Sequence, residues 1–379
     1  MPPDTPPPDH IVPESIGDSP VVSFDTAEWP RELHGPLVWT GAAFANDEDY
    51  IFSFSEEDKA EIHAALAHFR DLELDGSQVD AATFPLPTLG DKLRQLSDDL
   101  HAGRGFFILS GLDALDYSPE DNVLLFLALS SYIAESRGRQ DDVGNMLMHI
   151  RDAKFMAAPQ SERPARDSSL KLYFHSDLFA DILGLHCRGV AEEGGEHVIS
   201  SSYRIYNELI SRQPNVIEIL SRPDWFFDSR NLSLQPESRP LLFNHGGHII
   251  LNFGRIHVLG EEMAEDGKQL PKPSAEQVEA LDAVQRLAEQ HKLRLSMKPG
   301  DIAFINNFAL LHAREGFTDS LENTRYLVRL WLKNREKAWE LPRALKRGND
   351  LAFNEAFEPV WNVLPSARIT FQLREKFSP

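Results

Sequence analysis

From about Val143 onward the chain breaks into short apolar runs separated by turn residues, and few folds accept that pattern. The runs at residues 171–175, 182–188, 248–253, 302–306 and 325–332 have strand length and strand composition, and such segments bury themselves by pairing into sheets. Helical periodicity interrupts them near 203–212 and 275–292, without a regular β-α-β alternation. Many short strands with inserted helices predict a mixed α and β fold, a distorted double-stranded β-helix (jelly-roll) barrel with helical additions.

The N-terminal third reads differently. Ser55 before Glu56, Glu57 and Asp58 is a helix cap leading into Ile62, Leu66 and Phe69 at helical spacing. A second helix is expected over Asp91 to His101, with Leu93, Leu96 and Leu100 on one face. Ser118-Pro119-Glu120-Asp121 combines a cap with proline at the first helical position and opens a third over 119–136. Between the last two, the Gly-bounded run Gly105-Phe106-Phe107-Ile108-Leu109 reads as a buried strand. Residues 1–20 are proline-rich and poor in apolar side chains, which predicts a disordered arm. Order is expected from about Phe24 and Trp29, with residues 21–379 forming one domain around a β core at about 100–335.

Charge and cysteine content narrow the partners. Asp and Glu number 59 against 38 Lys and Arg, giving a formal charge of −21 that repels a phosphate backbone, so nucleic acid is excluded as a partner. A buried anion site survives that field, because one placed arginine outweighs distant, screened surface charge. Cys187 is the only cysteine, which excludes an intrachain disulfide and a cysteine-based zinc site. No run approaches the roughly 18 apolar residues of a membrane span. A cytoplasmic location is the expectation that remains.

Fourteen histidines are present, but only His175-Ser176-Asp177 forms a His-x-acid triplet. On an extended segment, residues two apart share a face, so this imidazole and carboxylate can reach one ion. Taken alone, such a triplet is more often an exposed polar turn. His312 closes the run that begins at Lys298-Pro299-Gly300-Asp301 and continues through Asn306-Asn307. It can project into a barrel, although taken alone a histidine there is more readily a hydrogen-bonded core residue. In Arg325-Tyr326-Leu327-Val328-Arg329-Leu330-Trp331-Leu332, alternation places Arg325, Leu327, Arg329 and Trp331 on one side. A buried guanidinium needs an anion, either a ligand carboxylate held bidentately or an internal Asp or Glu.

The ordered set of His175-x-Asp177, His312 and a following arginine resembles the iron(II)/2-oxoglutarate dioxygenases of the taurine dioxygenase and clavaminate synthase-like family. Gly105 to Leu112, Gly194-Gly195-Glu196 and Gly300-Asp301 with Asn306-Asn307 are similar to further family features. The resemblance implies that His175, Asp177 and His312 are catalytic residues holding Fe(II) as a two-histidine, one-carboxylate facial triad, with dioxygen and 2-oxoglutarate as co-substrates. It implies that Arg329, with Arg325 beside it, binds the distal carboxylate of 2-oxoglutarate. His197 stands where the family commonly has Thr or Ser contacting that group. Lys171 and Tyr173, on the metal-facing side by alternation, are candidate substrate contacts. The helical additions resemble fungal members acting on amino acids or other secondary-metabolite precursors, by hydroxylation, desaturation or oxidative cyclisation.

Two other readings use part of the pattern. A non-catalytic jelly-roll protein binding a small carboxylate needs Arg329 but not the triad; a zinc hydrolase needs the triad but leaves Arg329 idle. His245-Gly246-Gly247-His248 reads as a turn without a third ligand, and Glu261-Glu262 to Asp266 as an exposed acidic loop.

Overall fold

The computed structural model describes residues 28–154, 156–227, 237–259 and 271–365. The proline-rich arm and the acidic run at 261–266 lie outside them. One compact unit begins at Arg31 and contains every element named below.

The N-terminal helices start where their caps demand. In α1 (Glu56–Asp71) the Ser55 hydroxyl accepts from Asp58 N while the Asp58 carboxylate accepts from Ser55 N, pairing two amides the helix cannot satisfy itself. Helix α2 spans Leu89–Ala102. Helix α3 (Pro119–Ser131) has Ser118 as its cap and Pro119 in its first turn, and ends sooner than expected at Tyr132.

Eleven strands build two main sheets. The larger contains β1 (Ile51–Ser53), β2 (Phe106–Ser110), β3 (Ser136–Gly138) and β4 (Leu147–Arg151) from the N-terminal part. The smaller receives β5 (Leu172–His175), and β6 (Ile182–Gly189) returns to the larger. Then β7 (His197–Ser201) and β8 (Leu293–Leu295) join the smaller, β9 (Ile302–Asn306) the larger, β10 (Leu310–Arg314) the smaller and β11 (Tyr326–Lys333) the larger. The larger sheet runs β1-β2-β9-β6-β11-β3, with β4 also on β11; all its pairs are antiparallel except β1 with β2. The smaller runs β8-β7-β10-β5 and is antiparallel throughout. Helices α4 (Ser202–Arg212), α5 (Pro214–Ser221) and α7 (Ala275–His291) pack together beside β7, while the short α6 (Arg255–Leu259) lies near the site.

The main core lies between the larger sheet and α1–α3, where Leu66, Leu93 and Phe126 meet Phe107, Phe304, Val328, Leu330 and Leu332. Because side chains alternate along a strand, sending Val328, Leu330 and Leu332 into that core turns Leu327, Arg329 and Trp331 to the opposite face. That face borders the cavity described next.

Candidate metal centre

His175 and His312 are direct partners across the antiparallel pair β5–β10, and their ring centroids are 4.1 Å apart. Strand pairing alone thus brings together two residues distant in the chain. Asp177 follows just beyond β5 and is fixed through its backbone. Asp177 N donates to Asn307 Oδ1 at 2.8 Å, and Asn307 Nδ2 donates to the carbonyls of Asp177 at 2.8 Å and Ala180 at 2.7 Å. The Ser176 hydroxyl accepts from Phe253 N at 3.0 Å. One ligand atom from each of His175, Asp177 and His312 lies within 4.8 Å of the others, the one such group among the described residues.

The protonation states suit a cation. His175 Nδ1 lies 2.9 Å from the Tyr173 carbonyl, which only accepts; Nδ1 therefore carries the proton and Nε2 presents its lone pair. Burial, then neighbouring His312, pulls the His175 imidazole down to about 3, so it is neutral at ordinary pH. Burial works against charge on Asp177, but the Arg329 guanidinium, then the neighbouring His312, hold its carboxyl well below the usual carboxylate range. Asp177 Oδ2 accepts from Trp331 Nε1 at 2.6 Å and pairs with Arg329 Nη1 at 2.9 Å. Oδ1 lies 3.6 Å from His312 Nε2 and 3.9 Å from His175 Nε2. Two imidazoles and one carboxylate, with no cysteine in the cavity lining, fit iron(II) in a site that keeps open positions.

These three residues line a cavity of about 280 Å³. Arg325 also lines it and is 4% exposed. Its Nε donates to Gly195 O at 2.7 Å, one terminal nitrogen is buried without a partner, and it forms no ion pair among the described residues. Burial first, then the adjacent Arg314, pushes this guanidinium down to about 9. Gly195 is required for that approach: its φ is +78°, and a Cβ there would meet Arg325 Cδ at 2.7 Å. His197 is buried on the same wall, its ring 5.6 Å from His312 and its Nε2 unpartnered. Burial, followed by His312, lowers its pKa well below the ordinary value.

Arg329 sits on the cavity face as the alternation suggested, but Lys171 does not. Arg329 lines the cavity but is engaged by Asp177, and its Nε donates to Gln140 Oε1 at 2.7 Å. Lys171 does not line the cavity; its ammonium pairs with Glu289 at 2.8 Å and Glu315 at 3.3 Å on the outer side. The expectation that Lys171 contacts substrate is therefore corrected: two acids on α7 and beyond β10 draw it outward. Tyr173 does border the cavity and is 54% exposed. The His245-x-x-His248 pair stays apart from the centre, with His245 3.4 Å from Glu340 and His248 stacked on Trp339 at 3.8 Å.

Sequence reasoning gave no role to Gln140, Asn307 or Trp331, or to the cavity arginines Arg166, Arg255 and Arg314. Trp331 carried a signal, since it shares the face of Arg329, and so did Asn307, in the Asn306-Asn307 pair before His312. The others reach the centre through tertiary contacts that no local pattern records.

The sequence profile described as "Taurine catabolism dioxygenase TauD, TfdA family" matches residues 68–331, and this chain belongs to that family of dioxygenases. The resemblance drawn from the triad and the glycine turns is thereby borne out. Among individual proteins, the chain is 35% identical over 346 residues to a taurine hydroxylase-like protein, SAT17, of Stachybotrys chartarum, covering 88% of this chain and 89% of that one. It is 25% identical to the FR-33289 synthase of Streptomyces rubellomurinus, over 83% of this chain and 94% of the relative. Crystal structures of an asparagine oxygenase (TM-score 0.56, 16% identity) and of the non-haem iron oxygenase OrfP (TM-score 0.52, 18% identity) each cover 75% of this chain and 93% of their own, and share its fold. No helix among the described residues is long and apolar enough to cross a membrane.

Proposed function

We propose that this protein is an iron(II)- and 2-oxoglutarate-dependent dioxygenase that oxidises a small anionic organic substrate, an amino acid or related secondary-metabolite precursor. The observation that carries the reading is the presence, in one cavity, of a convergent His175/Asp177/His312 donor set and a buried guanidinium, Arg325, that forms no ion pair among the described residues. In this reading the larger and smaller sheets are the two walls of a distorted double-stranded β-helix within one catalytic domain.

His175 Nε2, Asp177 Oδ1 and His312 hold the metal. Arg325, rather than Arg329, takes the distal carboxylate of 2-oxoglutarate, because its charge is unspent while that of Arg329 is neutralised by Asp177. His197 Nε2, unpartnered on the same wall, supplies a further hydrogen bond if that nitrogen carries the proton. Bound iron(II) with dioxygen supplies the oxidising power that couples decarboxylation of 2-oxoglutarate to succinate with hydrogen abstraction from substrate. The protein positions both organic molecules and excludes bulk water: Leu178, Phe179 and Leu185 form an apolar wall.

The cavity size admits only a small substrate beside the co-substrate. Its lining holds five arginines, Arg166, Arg255, Arg314, Arg325 and Arg329, against one carboxylate, Asp177, which favours an acidic guest. An amino-acid-sized guest beside 2-oxoglutarate agrees with the structural neighbours: an asparagine oxygenase was crystallised with 3-hydroxyasparagine and succinate, and OrfP with iron and alpha-ketoglutaric acid.

The test is iron-dependent release of succinate from 2-oxoglutarate across a panel of small acids, with dioxygen consumption followed in parallel. Asp177→Ala should abolish it. Consumption of a test substrate that survives removal of dioxygen and releases no succinate would instead support a zinc hydrolase, and absence of succinate release with every acid would overturn the reading.

A further inference from the structure

Asp177 has two oxygens, and the structure treats them unequally. Oδ2 receives the indole N–H of Trp331 at 2.6 Å and the Arg329 guanidinium at 2.9 Å, both from β11. Oδ1 faces the two imidazoles and also accepts from Arg329 Nη1 at 3.1 Å, so the indole of Trp331 is what distinguishes the two oxygens. Arg329 is itself braced, since its Nε donates to Gln140 Oε1 at 2.7 Å. Gln140 Nε2 in turn donates to the carbonyls of Met146 at 2.8 Å and Arg329 at 2.9 Å, so the amide cannot rotate without losing bonds.

A free carboxylate can turn about its Cβ–Cγ bond and chelate a cation through both oxygens. Here each donor on Oδ2 opposes that rotation, and the bonds lie in a dry site where charge-assisted hydrogen bonds are strong. We infer that Trp331 is a positioning residue that reserves Oδ2, with Gln140 bracing the Arg329 guanidinium that spans both oxygens, so that Oδ1 is left as the single carboxylate donor to the metal. The effect is to hold one coordination position open that a chelating Asp177 would occupy. This rests on the proposed metal centre but concerns residues that do not themselves bind the ion.

The test uses the full-length apoprotein and Co(II) alone. Calorimetry gives its Kd, and the visible absorption of the bound Co(II) reports coordination number. Trp331→Phe removes the N–H and keeps most of the ring; Gln140→Leu keeps volume and releases Arg329. Both should remain folded by circular dichroism. Both should change the Co(II) absorption, and Trp331→Phe should alter Kd by about tenfold or more, in the range seen when outer partners of metal ligands are lost. A purely structural role would move the unfolding temperature and leave the spectrum alone. Parent-like spectra with Kd within twofold in both variants overturn the inference; if one variant fails to fold, the other decides by the same criteria. Failure of the parent itself to bind Co(II) would instead overturn the metal centre on which the inference rests.

Discussion

Replacing Arg325 by methionine removes a charge that the fold leaves unneutralised, and the consequences for stability and for co-substrate binding have opposite signs. Burial and the nearby Arg314 carry this guanidinium from its ordinary 12.5 down to about 9. That difference corresponds to about 5 kcal/mol of disfavoured charge, an upper bound because water entering the cavity screens it. Arg325→Met relieves that cost and loses the bond to Gly195 O, so the apoprotein should unfold at a Tm no lower than the parent's. Binding should suffer: a hydrogen bond to a charged group contributes about 1.5–3 kcal/mol, which raises the KM for 2-oxoglutarate roughly 10- to 150-fold. The assay is the initial rate of succinate release against 2-oxoglutarate concentration at saturating iron and substrate, with Tm measured separately. A KM within threefold of the parent's, or a lower apo Tm, would refute the reasoning.

Other perturbations separate the remaining roles. His175→Ala and His312→Ala should each abolish iron-dependent turnover while circular dichroism stays near that of the parent, and retained turnover in either would remove it from the ligand set. Lys171→Ala should leave the substrate KM unchanged and alter stability by under about 1 kcal/mol, since its pairs with Glu289 and Glu315 are partly exposed. Burial raises the Asp181 carboxyl to about 6, against the nearby Lys333 and the hydrogen bond from Asn349. The folded state then binds the proton more tightly than the unfolded chain. This site's stabilisation is present below about pH 4 and is lost as pH rises through 6, by about 3 kcal/mol at most. Asp181→Asn should therefore gain stability relative to the parent between pH 4 and pH 7, and denaturation curves showing no such divergence would count against the assignment.

Local signals in the chain were legible where local physics decides. The caps at Ser55 and Ser118 place α1 and α3, and Gly105 introduces β2. The triad group was readable because a His-x-Asp on a strand, a later histidine closing an apolar run and an arginine strand occur in one order, although each piece alone has commoner uses. The relative roles of the two arginines were not, because the ladder between β11 and β6 shifts register between Tyr326 and Leu327. That irregularity separates Arg325 from the regular run that carries Arg329. Lys171 was misplaced for a related reason: its position depends on Glu289 and Glu315, which only the docking of α7 brings near. Gln140 meets Arg329 across 189 residues of sequence, a contact no pattern announces.

The division of labour between sheet and loop sets which parts of this enzyme can diverge without losing its chemistry. The imidazoles are locked by the ladder between β5 and β10, whereas the cavity rim at Pro164–Arg166 and Gly254–His257 is made from connecting segments and the short α6. Insertions and substitutions are tolerated far better in such connections than in ladders. A lineage can therefore exchange one guest molecule for another by rewriting the rim, while the oxidising apparatus beneath is inherited intact.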